Sequence, residues 1–230
     1  MPAASGGSSN IHLHRPLKKT GGRLALVADT HTYRDGLPLL LGFFERQGIK
    51  RLACLGDCPP EPFRPWLEHS SQRQLFWVYD FYGPEMPEAT RSAMALELEG
   101  RIFLAHTRAI LWNHFKDQIH AYLDDSETGR PPMLLCHGHT HVPSLTHFQP
   151  PASRLLYIND ALRPQEFRPR QACISLNLDA AYLIVPGAFT MEEGRYPTLS
   201  FAVLDQDHHR LAMVSLRDLS PLESLELFPD

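Results

Sequence analysis

Seven side chains able to bind a metal recur in one kind of place along this chain, just beyond a short apolar run. Asp29 and His31 follow Arg23-Leu-Ala-Leu-Val-Ala28, Asp57 follows Arg51-Leu-Ala-Cys-Leu55 and a glycine, and Asp80 follows Leu75-Phe-Trp-Val-Tyr79. His106 follows the run 101–105, and His139 and His141 follow Met133-Leu-Leu-Cys136. Carboxylate oxygens mixed with imidazole nitrogens suit Zn, Mn, Fe or Ni better than Ca or Mg alone. Seven candidate ligands exceed what one tetrahedral ion needs and match two ions sharing a carboxylate. Such a pair, about 3.5–4 Å apart, is a known arrangement for attack on phosphorus. Taken singly, the pieces are bland: Gly56-Asp57 reads as a turn, and His106 as a histidine packed near the core. His137-Gly-His-Thr-His141 differs, because imidazoles two residues apart around a glycine have little packing rationale. Seven of the thirteen histidines fall between His106 and His147, which bulk composition does not account for.

The elements that must position these groups follow from hydrophobic periodicity. The apolar runs at 23–28, 51–55 and 75–79 have the unbroken character of strands covered on both faces. Between the first two, Leu37, Leu40, Leu41 and Phe44 recur at helical spacing until Gly48 stops the pattern. Residues 92–98 and 101–105 read as a hairpin turning at Glu99-Gly100. Residues 108–123 read as a helix with Ile110, Leu111, Phe115, Ile119 and Tyr122 on its inner face. Further strands are expected at 133–136, 182–185, 199–205 and 210–216. Strands alternating with helices, each strand ending in a polar residue, indicate α/β layering. The Pro- and Arg-rich stretch Val142–Ala181, with Arg154, Arg163, Arg168 and Arg170, breaks this rhythm and reads as a long excursion from the core.

Of the 230 residues, 43% are hydrophobic and 21% charged, enough for a real core and inconsistent with a wholly disordered chain. The length suits one domain, 21–230, behind a Gly- and Ser-rich tail over 1–20 that can bury little. A net charge of -4 argues against bulk-charge binding to nucleic acid or anionic membrane. No apolar run approaches the roughly 18 residues that span a bilayer, and the first 20 contain none of signal-peptide length. Cys54, Cys58, Cys136 and Cys173 have apolar, strand-like neighbours and read as reduced, mostly buried thiols. A cytoplasmic location is the expectation.

The ordered blocks Asp29-Thr-His31, Gly56-Asp57, Tyr79-Asp80-Phe-Tyr82, His106 and Gly138-His-Thr-His141 resemble those of the calcineurin-like metallophosphoesterase superfamily, in particular its small bacterial and archaeal phosphodiesterase branch. Val185-Pro-Gly-Ala188 resembles the turn before that family's closing strands. The resemblance spans about residues 22–217. It implies a four-layer αββα sandwich of two packed mixed sheets flanked by helices, holding two divalent ions (Mn, Fe, Zn or Ni). Carried over block by block, one ion would take Asp29, His31, Asp57 and His141. The other would share Asp57 and add Asp80, His106 and His139. The implied reaction is phosphoester hydrolysis by a hydroxide bridging the ions, with Asp57, His106 and His139 central to it. Ligand histidines must be neutral, so activity should fall in acid.

The chain departs from that pattern at Asp80, where the family has Asn. Three carboxylates and a bridging hydroxide then cancel the charge of two divalent ions, and a neutral cluster attracts a monoester dianion less. A diester is therefore favoured over a monoester. The family's histidine near the leaving group has no counterpart, since Phe81 and Tyr82 occupy that stretch. Tyr33, Arg34 and Tyr82 are the candidate substrate contacts, Arg34 because guanidinium groups fit phosphate. His137 reads as structural or as a group supporting the ligands from just outside them. The alternative function is a catalytically weak or inactive scaffold of the same fold that binds protein. A structural zinc site on Cys54, Cys58 and Cys136 lacks the matching downstream pair. The expected partner is a phosphoester substrate, with nucleotides among the options, and a homo-oligomer is left open.

Overall fold

The computed structural model describes residues 22–31, 33, 35–79, 90–149, 152–158, 170–190 and 198–229. The tail over 1–20, Arg34, Asp80 and Tyr82 lie outside them. Fourteen strands among these residues form two mixed sheets. The larger contains β1 (Arg23–Val27), β2 (Arg51–Leu55), β3 (Gln74–Val78), β4 (Thr90–Ala93), β10 (Arg170–Ser175), β12 (Phe189–Thr190), β13 (Thr198–Asp205) and β14 (Arg210–Leu216). Its order is β10-β14-β13-β1-β2-β3-β4, with β12 beside β13. The smaller contains β5 (Ala95–Leu98), β6 (Ile102–Ala105), β7 (Met133–His137), β8 (Ser144–Gln149), β9 (Ala152–Ile158) and β11 (Ala181–Val185), in the order β5-β6-β7-β11-β8-β9.

Strand parity sorts the core into layers. Alternate residues Leu24, Leu26 and Ala28 of the first strand pack with Leu104, Leu134, Cys136 and Ile184 of the smaller sheet, closing an apolar layer between the sheets. The opposite parity, Ala25 and Val27, packs against α1 (Leu37–Arg46) and α2 (Arg64–Glu68) on the outer face of the larger sheet. On the far side, Leu111, Phe115 and Ile119 of α3 (Arg108–Asp124) cover Phe103, Leu135 and Ala181 of the smaller sheet. This gives helix, sheet, sheet, helix: the four-layer sandwich expected from the sequence. Thr107 caps α3, its hydroxyl accepting the Ile110 N–H at 3.2 Å, so the helix starts immediately after His106. Gly48, at φ +68, supplies the left-handed turn after α1.

Two stretches differ from expectation. The single strand read over 92–98 is two strands, β4 and β5, which belong to different sheets and meet at Met94. Residues 142–181 are not simply an excursion: β8 and β9 form a hairpin that widens the smaller sheet, and β10 forms an edge of the larger. The thiols also divide, with Cys54 and Cys136 buried, Cys58 intermediate and Cys173 exposed on the edge strand. No helix among the described residues is long and apolar enough to cross a membrane.

Candidate metal centre

The parallel strands β1, β2, β6 and β7 all release their chains at one end of the sandwich, and the turns there are tied to one another through the backbone. The Asp29 N–H donates to the Gly56 carbonyl at 3.0 Å and the His31 N–H to the Asp57 carbonyl at 2.8 Å. The Gly138 N–H donates to the His106 carbonyl at 2.9 Å. The Phe189 N–H donates to the Ala28 carbonyl at 3.1 Å, so the Pro186-Gly187 turn is anchored to the same strand end. Sheet pairing thus continues past the strands and fixes where the ligand side chains start.

Five of the eight described non-glycine residues with positive φ are Asp29, His31, Asp57, His139 and His141. Left-handed backbone costs about 1–3 kcal/mol per residue when it is strained, and Asp and His tolerate it better than most. Concentrated at one strand end, it turns successive side chains inward. Nothing in the sequence pattern announced this curvature; only the residue types permit it.

Two groups of ligand atoms result, each lying within 4.8 Å of one another: Asp29, His31 and His141, and Asp29, Asp57 and His106. The His31 and His141 Nε2 atoms face each other at 3.2 Å, and His141 Nε2 lies 3.6 Å from Asp29 Oδ1. Imidazole nitrogens bound to one tetrahedral ion at about 2.0–2.1 Å are about 3.3 Å apart, so the donor set fits such an ion. His106 Nε2 lies 3.8 Å from Asp57 Oδ2. His106 Nδ1 donates to the Leu55 carbonyl at 2.8 Å, which fixes the proton there and leaves the Nε2 lone pair facing the carboxylates. Asp29 is fully buried, and its Oδ2 accepts the His139 N–H at 2.8 Å. A carboxylate removed from water needs compensation, which a divalent cation supplies.

The carboxylate common to both groups is Asp29, whereas the family resemblance gives the shared place to Asp57. His139 stands at the rim, its exposed ring edge-on to His106 with centroids 5.1 Å apart. His137 is buried and donates from Nδ1 to the Gly138 carbonyl at 2.8 Å. Its burial lowers its pKa below the ordinary histidine value. The Tyr33 ring packs against Phe189 at 5.9 Å and over Gly36, and burial, helped by nearby Asp35, raises the pKa of its phenol.

Gly138 and Gly56 are required by close approach. A Cβ at Gly138 would sit 2.5 Å from the Leu55 carbonyl oxygen and 2.9 Å from Asp29 Oδ2. One at Gly56, where φ is +95, would sit 1.8 Å from His106 Nδ1. Gly56→Ala should therefore push His106 off the Leu55 carbonyl. The expected losses are about 1–3 kcal/mol of stability from overpacking and about 10–100-fold in metal affinity. Urea unfolding and metal titration check both. Unchanged metal affinity would separate His106's carbonyl-held orientation from metal binding.

No family model matches the chain, and no curated protein matches it. Among solved structures it is similar to a novel archaeal phosphodiesterase, at 12% identity over 84% of this chain and 99% of that one, with a TM-score of 0.49. It is similar to a metallophosphoesterase from Sphaerobacter thermophilus at 16% identity, over 86% and 89% of the two chains, with a TM-score of 0.48. It is also similar to Vps29 from Entamoeba histolytica at 15% identity, over 86% and 94%, with a TM-score of 0.45. What the centre can do follows from its own residues.

Proposed function

We propose that this chain is a metal-dependent phosphoesterase of the calcineurin-like kind, acting on diesters in preference to monoesters. The observation that carries the reading is the pair of ligand groups joined through the buried Asp29. Asp29, His31 and His141 would hold one divalent ion; Asp29, Asp57 and His106 would hold its neighbour, with His139 and Asp80 as further donors. Two such ions acidify a bound water and polarise the phosphoryl oxygens.

The chain's own contribution is orientation. The Leu55 carbonyl keeps the His106 proton on Nδ1. The His139 N–H holds one oxygen of the Asp29 carboxylate at 2.8 Å and so limits its rotation. The buried wall of Ala28, Leu55 and Gly138 keeps water from the inner side, while the exposed Asp57 and His139 leave the outer side open to substrate. The preference for diesters rests on the carboxylates Asp29, Asp57 and Asp80, which leave the centre less cationic than an Asn-containing one and less attractive to a dianion.

Stripping the protein of metal and restoring Mn, Ni, Fe or Zn before assay on aryl phosphomono- and diesters tests the proposal. The expected result is two ions per chain, no turnover in the stripped protein, and restored turnover that is faster on diesters. One ion or none, with no hydrolysis of either ester class under any metal, would leave a protein-binding scaffold as the function.

A further inference from the structure

The one charged side chain in the first turn of α3 opposes the helix's own electrostatics. Over the 17 residues Arg108–Asp124 the peptide dipoles align with their positive end at Thr107, where an acidic side chain is the stabilising choice. The first turn holds no acid, and its first residue is Arg108, which is exposed. Among the described residues the Arg108 guanidinium has no carboxylate partner, and the next acid along the helix is Asp117. A local conflict that the fold does not offset marks function rather than stability.

This cation adjoins the metal centre. Arg108 is two residues beyond His106, so its Cα lies within about 7.6 Å of that ligand's. Thr107 fixes the start of the helix by accepting the Ile110 N–H at 3.2 Å on its hydroxyl and the Leu111 N–H at 3.1 Å on its carbonyl. The His106 carbonyl accepts the Gly138 N–H at 2.9 Å, which seats the exposed His139 against the same stretch of chain. Helical side chains lean towards the N-terminus of their helix, so Arg108 leans back to this rim rather than along α3. His137 lies beneath the first turn, because it has the strand parity of Met133 and Leu135, which face α3. Burial lowers the His137 pKa first and the Arg108 charge lowers it further, in keeping with this placement.

We infer that Arg108 is a specificity-determining residue that holds a second phosphate of the substrate, one sugar away from the phosphate at the metals. The preferred diesters are then those of a nucleotide chain with an adjoining phosphate. This rests on the phosphoesterase reading above. A pyrophosphate would set both of its phosphates on ions about 3.5–4 Å apart and leave Arg108 unused. An intervening sugar carries the second phosphate outward past His139, to a guanidinium whose fork matches two phosphate oxygens. The net charge of -4 works against bulk attraction of such a chain, so recognition has to come from a local cation.

The test uses the full chain loaded with whichever of Mn, Ni, Fe or Zn restores aryl ester turnover. The substrates are a thymidine dinucleotide diester, bare or with a terminal 5′ or 3′ phosphate. The wild type should show a KM about fivefold lower for one phosphorylated form than for the bare diester, as expected of an exposed charge pair. Added salt should shrink that advantage. Arg108→Ala should erase it by raising KM for the phosphorylated form, with kcat and the ions bound per chain held, and Arg108→Lys should keep part of it. Lys116→Ala, about two turns further along α3, should leave the advantage intact. Calorimetry gives a second readout, with dinucleotides whose internal phosphate is replaced by an uncleavable methylphosphonate. Their terminal phosphate should tighten binding about fivefold in the wild type and not in Arg108→Ala. Equal KM values for bare and phosphorylated diesters in the wild type would overturn the inference, as would an advantage that survives Arg108→Ala. A fall in kcat on all three substrates would also overturn it, because Arg108 would then be acting through His106. If no metal restores turnover, the phosphoesterase reading fails by itself, and the calorimetric pair on the untreated protein still decides whether Arg108 holds a phosphate.

Discussion

Asp29→Asn should lower hydrolysis by more than about a hundredfold, at least 2.7 kcal/mol in barrier, and should strip the protein of both ions. Asn keeps the shape of the buried side chain and an oxygen to accept the His139 N–H, so the fold should persist by circular dichroism. What disappears is the negative charge common to both ligand groups. Asp57→Ala removes a ligand from one group alone, and Asp57 is exposed where Asp29 is fully buried. That variant should retain one ion per chain while losing most of its turnover. Elemental analysis and aryl diester hydrolysis on the two variants give the order directly. If Asp57→Ala loses both ions and Asp29→Asn keeps one, the shared position belongs to Asp57.

What was legible in the sequence was where side chains are released. Buried strands write unbroken apolar runs, so β1, β2, β3 and β7 could be placed and the polar residues after them singled out. The helices α1 and α3 were equally plain, because their buried residues recur at helical spacing. The change of sheet at Met94 was hidden, since the chain crosses there without a glycine or proline. The edge strand β9 was hidden because nearly every residue in it is exposed, which leaves no alternation to read. In the centre, the residue types gave the chemistry but not the sharing. Whether Asp29 or Asp57 lies between two groups depends on left-handed backbone at both, which the residue types allow without requiring. The packing of the Tyr33 ring against Phe189 was equally hidden, because the two lie far apart in sequence and no periodicity links them.

At the opposite end of the strands, Glu99→Ala should be among the most destabilising single changes in the chain, costing about 3–5 kcal/mol. Glu99 sits in the turn between β5 and β6, at φ +58 beside Gly100 at +69, which aims its carboxylate back between the sheets. There it meets Arg51 of β2 at 2.7 Å, with both side chains only 6% exposed. Gln206, from the turn after β13, donates to Glu99 at 2.9 Å and also accepts from Arg51, while Arg101 approaches Glu99 at 3.8 Å. This buried network ties the larger sheet to the hairpin of the smaller one at the end remote from the metal centre. Removing the carboxylate leaves the Arg51 guanidinium out of water without this counter-charge, which accounts for the size of the loss. Salt should do little to reproduce it, because buried pairs are weakly screened. Urea unfolding of Arg51→Ala, Glu99→Ala and the double variant closes the argument. If the pair acts as a unit, the double variant costs clearly less than the two single losses added together, with a coupling of about 0.5–3 kcal/mol. Additive losses would mean that each side chain is held by its other neighbours and that the sheets do not depend on the pair.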